Sequence, residues 1–260
     1  MKPPVLILHA PGTNRDRDVA EAFAMAGAAP SIRTLADVVA NPGLVADHRL
    51  VCLPGGFSFG DDLGAGQVFA LHLRHSLGDA LREHLGRARP ILGICNGFQA
   101  LMKAGFFEPG AAGATAITTS RTATLTRNAR AQFECRWVTL TPNPTSSSPW
   151  LAGLTAIDCP VAHGEGRIVA NDAATIAALT GPQAAFRYVP SDTGDGYPGN
   201  PNGSLEHLAG LTDKSGLVLG LMPHPEDHIH PFQHPGFHQG QGKNPGLPLF
   251  EAGVRLAQSS

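Results

Sequence analysis

Short apolar runs alternate with stretches of helical periodicity over the first hundred residues, and this alternation narrows the fold more than any other feature. Val5 to Leu8, Ile32 to Leu35, Leu50 to Leu53 and Ile91-Leu92 are too short for helices and read as buried strands. Between them Val19, Ala22, Phe23 and Ala26 recur at helical spacing, with Asn14 as the expected N-cap and Gly27 as the stop. Val68, Leu71, Leu77, Leu81 and Leu85 mark an amphipathic helix over about 66–87, weakened by Gly78. Strand, helix, strand in succession predicts βαβ units and a parallel sheet.

Beyond residue 115 the texture becomes β-rich. Ala116 to Thr119, Ala123 to Thr126, Phe133 to Leu140, Val161-Ala162 and Phe186 to Val189 read as antiparallel strands flanking the parallel core, and Leu217 to Met222 as a last core strand. The composition of 141–149 and 190–204 predicts loops. Residues 227–248, rich in His, Pro, Gly and Gln, read as irregular before a terminal helix near Leu249 to Leu256. No convincing linker divides the 260 residues, so one domain over 1–260 is expected.

Charged residues make up 15% and the formal net charge is −2, which leaves no electrostatic footprint for nucleic acid or an anionic membrane. The apolar run after Met1 is too short for a signal peptide or a membrane span. Four cysteines, at 52, 95, 135 and 159, have neither zinc-site spacing nor the density of a disulfide scaffold; a reduced, cytoplasmic setting is expected. His228, His230, His234 and His238 are loosely spaced and separated by proline, which favours a partner-facing or lid loop over a metal site; no metal is expected.

The chemistry centres on Gly93-Ile94-Cys95-Asn96-Gly97, set between an apolar run and the helical stretch Phe98 to Ala104. This is the pattern of a nucleophile elbow with cysteine at its tip, in which flanking glycines ease a sharp turn and the helix N-terminus favours a thiolate. A cysteine nucleophile needs a base and a group to orient that base. His224 and Glu226 leave a predicted strand end two residues apart and suit those roles. Pro54-Gly55-Gly56-Phe57 follows another strand end, where unobstructed backbone N–H groups suit an oxyanion hole. Strand ends along one edge of a parallel sheet bring such pieces together.

The blocks Gly93 to Gln99 and Pro223 to Glu226 resemble the class I, or triad, glutamine amidotransferases. Further blocks resemble one branch of that family, the glutaminase subunits of phosphoribosylformylglycinamidine synthases in purine biosynthesis. They are Leu53 to Asp62, Arg127-Asn128 ahead of Phe133 to Arg136, Ala162 to Gly166, and Asn200 to Ser204, spread in family order over nearly the whole chain. The resemblance implies a single flavodoxin-like open α/β sheet with added antiparallel strands. It implies Cys95 as nucleophile, His224 as general base and acid, and Glu226 as its orienter. Backbone groups at Gly56, Phe57 and Asn96 would hold the oxyanion, and Gly55, Gln99 and His163 would contact the substrate glutamine.

No GxxxxGK[ST] phosphate loop is present, so a ligase spending ATP is not contained in this chain. The resemblance therefore implies a large synthetase subunit that carries ATP and Mg, a small bridging subunit, and no cofactor here. Asp227 departs from the pattern, where arginine commonly follows the glutamate, as does the extended tail, the segment expected to carry coupling to a partner. The triad alone also fits the glutaminase of another synthase, a free-standing γ-glutamyl cysteine hydrolase, or a catalytically silent regulatory binding module. The Gly56 to Asp62 and Asn200 to Ser204 blocks favour the purine branch, and retention of all three triad residues argues against a silent module.

Overall fold

Residues 2–109, 117, 121–146 and 148–260 are described by the computed structural model. Five strands form the parallel half of a nine-stranded sheet: β1 (Pro4–His9), β2 (Ala29–Thr34), β3 (Leu50–Leu53), β4 (Ile91–Ile94) and, late in the chain, β11 (Val218–Leu221). Their order is β2-β1-β3-β4-β11, the flavodoxin-like arrangement with β11 in fifth place. The sheet continues through β10 (Leu208–Thr212), β9 (Ala184–Tyr188), β6 (Glu134–Pro142) and β7 (Ile157–His163), all antiparallel. β5 (Ala123–Thr126) and β8 (Arg167–Ala170) pair in a separate antiparallel ribbon.

β3, β4 and β11 are buried along their whole length, which is why their sequences are continuous apolar runs and not alternating ones. β7 lies at the sheet's edge and alternates strictly between buried and half-buried residues. The strand expected at 116–119 falls outside the described residues, Ile117 aside.

Three expectations are corrected. Asn14 does not cap α1 (Asp16–Met25); Arg15 takes the N-cap position without a side-chain bond, and Asn14 N–H instead donates to Gly55 O at 3.3 Å. Asp16 and Asp18 still complement the helix dipole at that end. The single helix expected at 66–87 is two, α4 (Gln67–His75) and α5 (Gly78–Gly86), following the short helices α2 (Leu35–Ala40) and α3 (Gly43–Ala46). Phe69 and Leu73 face the core in α4 while Leu71 is 38% exposed, so the apolar positions of the two halves do not share one face. Two strands and three helices were not foreseen: β8, β10, the short α2 and α3, and α7 (Ala173–Thr180), whose alanine-rich sequence shows little amphipathic periodicity.

α6 (Asn96–Ala104) follows β4 without a loop and is buried on every side. The tail 227–248 contains only short 3₁₀ turns, as its composition predicts, before α8 (Leu247–Ser259) packs back near Trp150 and α1. No helix among the described residues is long and apolar enough to cross a membrane.

Candidate active site

Cys95 connects β4 to α6 with φ +49° and ψ −105°, a strained conformation for a residue with a side chain. The strain of the elbow therefore sits on the cysteine itself. Its glycine neighbours have a different task from the one read in the sequence: neither has positive φ, and both allow close approach. A Cβ on Gly97 would lie 1.9 Å from Leu53 O, and one on Gly93 would lie 2.5 Å from Leu101 Cδ1. Helix α6 can thus start directly against the end of β3.

The candidate base comes from the neighbouring strand. β11 pairs with β4 in parallel register, Leu221 opposite Ile94, and Cys95 N–H donates to Leu221 O at 2.8 Å. Three residues past β11 the chain is pinned again, as His224 N–H donates to Pro160 O at 2.8 Å. His224 Nδ1 donates to Glu226 Oε1 at 2.7 Å, and the two side chains are 4% and 0% exposed. Burial opposes a charge on the imidazole, but the Glu226 carboxylate, and after it the Cys95 sulfur, hold the His224 pKa well above the ordinary value. Nε2 of His224 has no hydrogen-bond partner, while the Cys95 thiol is directed at Ala162 O, 3.8 Å away. The Cys95 sulfur and the imidazole are neighbours, as a nucleophile and its base must be. Once the sulfur is ionised, Ala162 O repels it and the imidazolium attracts it.

Asp227, the departure from the family pattern, lies beside the triad. Burial, then the nearby Glu226 charge, raises its pKa to about 6, against the opposing pull of His224 and Arg15. Arg15 reaches it from the start of α1 at 3.4 Å.

The turn after β3 faces the elbow. Gly56 has φ +148°, and a Cβ there would lie 2.6 Å from Gly12 O and 2.7 Å from Thr13 Cα. Its N–H makes no backbone bond among the described residues. The N–H of Asn96 belongs to the first turn of α6, where the helix offers no acceptor. These two groups remain available to an oxyanion. Phe57 does not: its N–H donates to Gly12 O at 3.0 Å, so its expected place in the oxyanion hole is corrected. Gly55 approaches His224 so closely that a Cβ would lie 2.7 Å from Cε1. It packs on the base.

Gln99 also has internal partners. Its Oε1 accepts from Asn96 Nδ2 at 2.9 Å and its Nε2 donates to Glu165 O at 2.6 Å. His163 is 2% exposed, and burial, then the charge of His224, lowers its pKa to about 3. Its Nδ1 donates to Asn128 Oδ1 at 3.2 Å, leaving Nε2 as a buried acceptor without a partner. Asn128 also accepts from Gly166 N–H at 3.0 Å and donates to His163 O at 2.8 Å, and so shapes the 163–166 turn. Asn128 and Asp61 lie within the motif blocks of the sequence, which show no role for either. The signal for Asn96 was a polar residue directly after the nucleophile, at a position the fold buries.

Among the described residues no three His, Cys, Asp or Glu side chains cluster as a metal site requires. Of the tail histidines, His228 and His234 pack edge-on against Trp137, with ring centroids 5.2 and 4.6 Å from it.

Comparison with known proteins agrees with this geometry. The family model of the CobB/CobQ-like glutamine amidotransferase domain matches residues 2–256. The chain is 41% identical to phosphoribosylformylglycinamidine synthase subunit PurQ of Treponema denticola, over 88% of this chain and 89% of that protein. It is 36% identical to the subunit of the same name from Dehalococcoides mccartyi, over 97% of each. Among solved structures, a chain of PurLQS from Thermotoga maritima superposes with a TM-score of 0.73 at 31% identity, covering 98% of this chain and 99% of that one. With its cysteine, histidine and glutamate assembled on adjoining strand ends, the chain belongs to the CobB/CobQ-like glutamine amidotransferase family.

Proposed function

We propose that this chain is the glutaminase subunit of phosphoribosylformylglycinamidine synthase, releasing ammonia from glutamine for an ATP-dependent synthetase subunit in purine biosynthesis. The observation that carries the reading is an intact Cys95, His224 and Glu226 constellation in a chain that matches PurQ subunits over 88 to 97% of its length.

The Cys95 thiolate attacks the side-chain amide carbon of glutamine, and the negative charge that develops on the amide oxygen is met by the N–H groups of Gly56 and Asn96. His224, charged and oriented by Glu226, gives its proton to the leaving nitrogen. Ammonia departs and a glutamyl thioester remains on Cys95. Water then attacks the thioester carbon, His224 takes the water's proton, and the collapsing intermediate expels the thiolate and glutamate. Neutral, buried His163 and the 163–166 turn form the wall beside the base.

The partner is a PurL-like synthetase, which holds ATP and Mg, with a small PurS-like bridging subunit; a similar chain occurs in PurLQS. Four free cysteines support a reducing cytoplasm as the setting. Reconstitution tests the reading. With the synthetase, ATP and formylglycinamide ribonucleotide, the wild-type chain should support product formation from glutamine, and Cys95→Ala only from added ammonium. Glutamine-dependent synthesis by Cys95→Ala would sink the assignment.

A further inference from the structure

The side chain of Asn96 lies 1% exposed between the nucleophile and the oxyanion turn, and its bonds join the two. Oδ1 accepts the N–H of Ser58 at 3.0 Å, two residues beyond Gly56. Nδ2 donates to Asp61 Oδ1 at 3.1 Å and to Gln99 Oε1 at 2.9 Å, so both amide hydrogens are used. Asp61 in turn accepts from Gly66 N–H at 3.2 Å, closing the segment 58–66 on itself.

That segment needs holding. Phe59 and Asp61 have φ of +55° and +54°, a region costly for residues with side chains, and they flank Gly60 at +68°. On one side the segment is tied to the loop after β1, where Phe57 and Phe59 N–H groups donate to Gly12 O and Pro11 O. On the side facing Cys95, Asn96 supplies the bonds.

We propose that the Asn96 side chain is a positioning residue that fixes the Gly56 turn against the start of α6, so that the N–H groups of Gly56 and Asn96 converge on one oxygen. The proposal rests on the glutaminase reading above. It is separate from the backbone role of Asn96, because a substitution keeps the N–H and removes only the clamp.

The oxyanion forms only after attack, in the tetrahedral intermediate and its flanking transition states, so loosening its donors lowers kcat and leaves ground-state binding alone. Asn96→Ala should lose about 10²-fold in kcat, the scale of one oxyanion donor, with KM for glutamine within about threefold of wild type. Asn96→Asp should lose as much, since a carboxylate cannot donate to Asp61. Combining Asn96→Asp with Asp61→Asn returns a donor and acceptor to that contact in exchanged places, and should recover at least about tenfold of the loss. Alkylation of Cys95 by iodoacetamide passes through no oxyanion and should proceed in Asn96→Ala within about threefold of the wild-type rate.

Wild-type kcat in Asn96→Ala, a loss confined to KM, a slowed alkylation, or a double variant no better than Asn96→Asp would each overturn the proposal. A wild-type chain without glutaminase activity, alone or assembled, would remove the functional reading and the proposal with it. An active wild type beside a fully active Asn96→Ala removes the proposal alone.

Discussion

Gly55→Ala separates the placement of the base from the stability of the fold. The added Cβ would lie 2.7 Å from His224 Cε1, about 0.7 Å inside ordinary van der Waals contact, which begins near 3.4 Å. Gly55 cannot retreat easily, because its carbonyl accepts N–H bonds from both Asn14 and Arg15 at 3.3 Å. The imidazole must give instead, and it is held by Glu226 at 2.7 Å while the His224 backbone N–H is fixed on Pro160 O at 2.8 Å. A misplacement approaching 1 Å costs on the order of 10²-fold in rate, so a loss of roughly 10- to 100-fold in kcat/KM is expected. Stability should change by only about 1 kcal/mol, since the smaller entropy of the unfolded chain offsets part of the crowding. Gly56→Ala makes the contrast, because its Cβ meets backbone atoms of Gly12 and Thr13 at a φ of +148° and should lower stability and activity together. Gly86→Ala, with nothing within 4 Å, is the control. Steady-state glutaminase kinetics beside thermal melts decide the matter: a folded Gly55→Ala variant with kcat/KM within about twofold of wild type would refute the placement of His224.

Cys95→Ala should abolish glutamine hydrolysis while leaving ammonium-dependent synthesis by the assembled enzyme, as measured by product formation from each nitrogen source. His224→Ala should lose nearly as much, because nucleophile and base act as a unit, and Glu226→Gln less; equal rates for wild type and His224→Ala across pH 6 to 9 would contradict the triad. His84, buried and with its pKa lowered to about 4, gives a stability signature. Between that value and the ordinary 6.5 the unfolded chain binds the extra proton, so stability falls on acidification through this window, by about 3 kcal/mol in all. Urea unfolding at pH 7 and pH 4.5 should show a smaller acid loss in His84→Gln than in wild type.

The parts of the molecule that the sequence displays are those governed by local rules. Buried parallel strands appear as uninterrupted apolar runs, and the elbow appears because Cys95 stands between such a run and a helix. The histidine and carboxylate of the triad were visible because they follow β11 within five residues. Other features depend on distant partners. Nothing near Leu208 to Thr212 marks a strand until β9 and β11 are there to flank it. Asn14 looks like a cap by type, but tertiary contact with Gly55 O takes its backbone. Gln99 and Phe57 fit the site by position, and only the fold shows that Glu165 O and Gly12 O already engage them. The glycines of the elbow were read as aids to turning, whereas it is the 1.9 Å approach to Leu53 O that demands Gly97.

Control by a synthetase should fall on the oxyanion turn and not on the triad or the tail. The triad stands on β4 and β11, neighbours in the middle of the sheet, with Glu226 fully buried. The tail is also well held: His228 is fully buried and donates to Asp158 O, Gly246 N–H donates to His228 O at 2.6 Å, and Asn244 donates to Asp158 Oδ2 at 2.9 Å. Residues 57–66 differ. They contain positive-φ residues at 59, 60, 61, 64 and 66, two of them not glycine, beside the exposed Phe57 and Leu63, whereas the tail, which exposes Phe232 and Phe237, has positive φ only at Gly240 and Gly242. Apolar side chains on a strained turn give a partner both a handle and a lever, because covering them can bias the turn toward the arrangement that aims Gly56 N–H at the substrate. The isolated chain should therefore hydrolyse glutamine slowly and accelerate on assembly. Hydrogen exchange should show more protection gained over 57–66 than over 228–246 when the synthetase binds. Protection confined to the tail would move the control there, and full activity in the isolated chain, unchanged by the partner, would remove the coupling altogether.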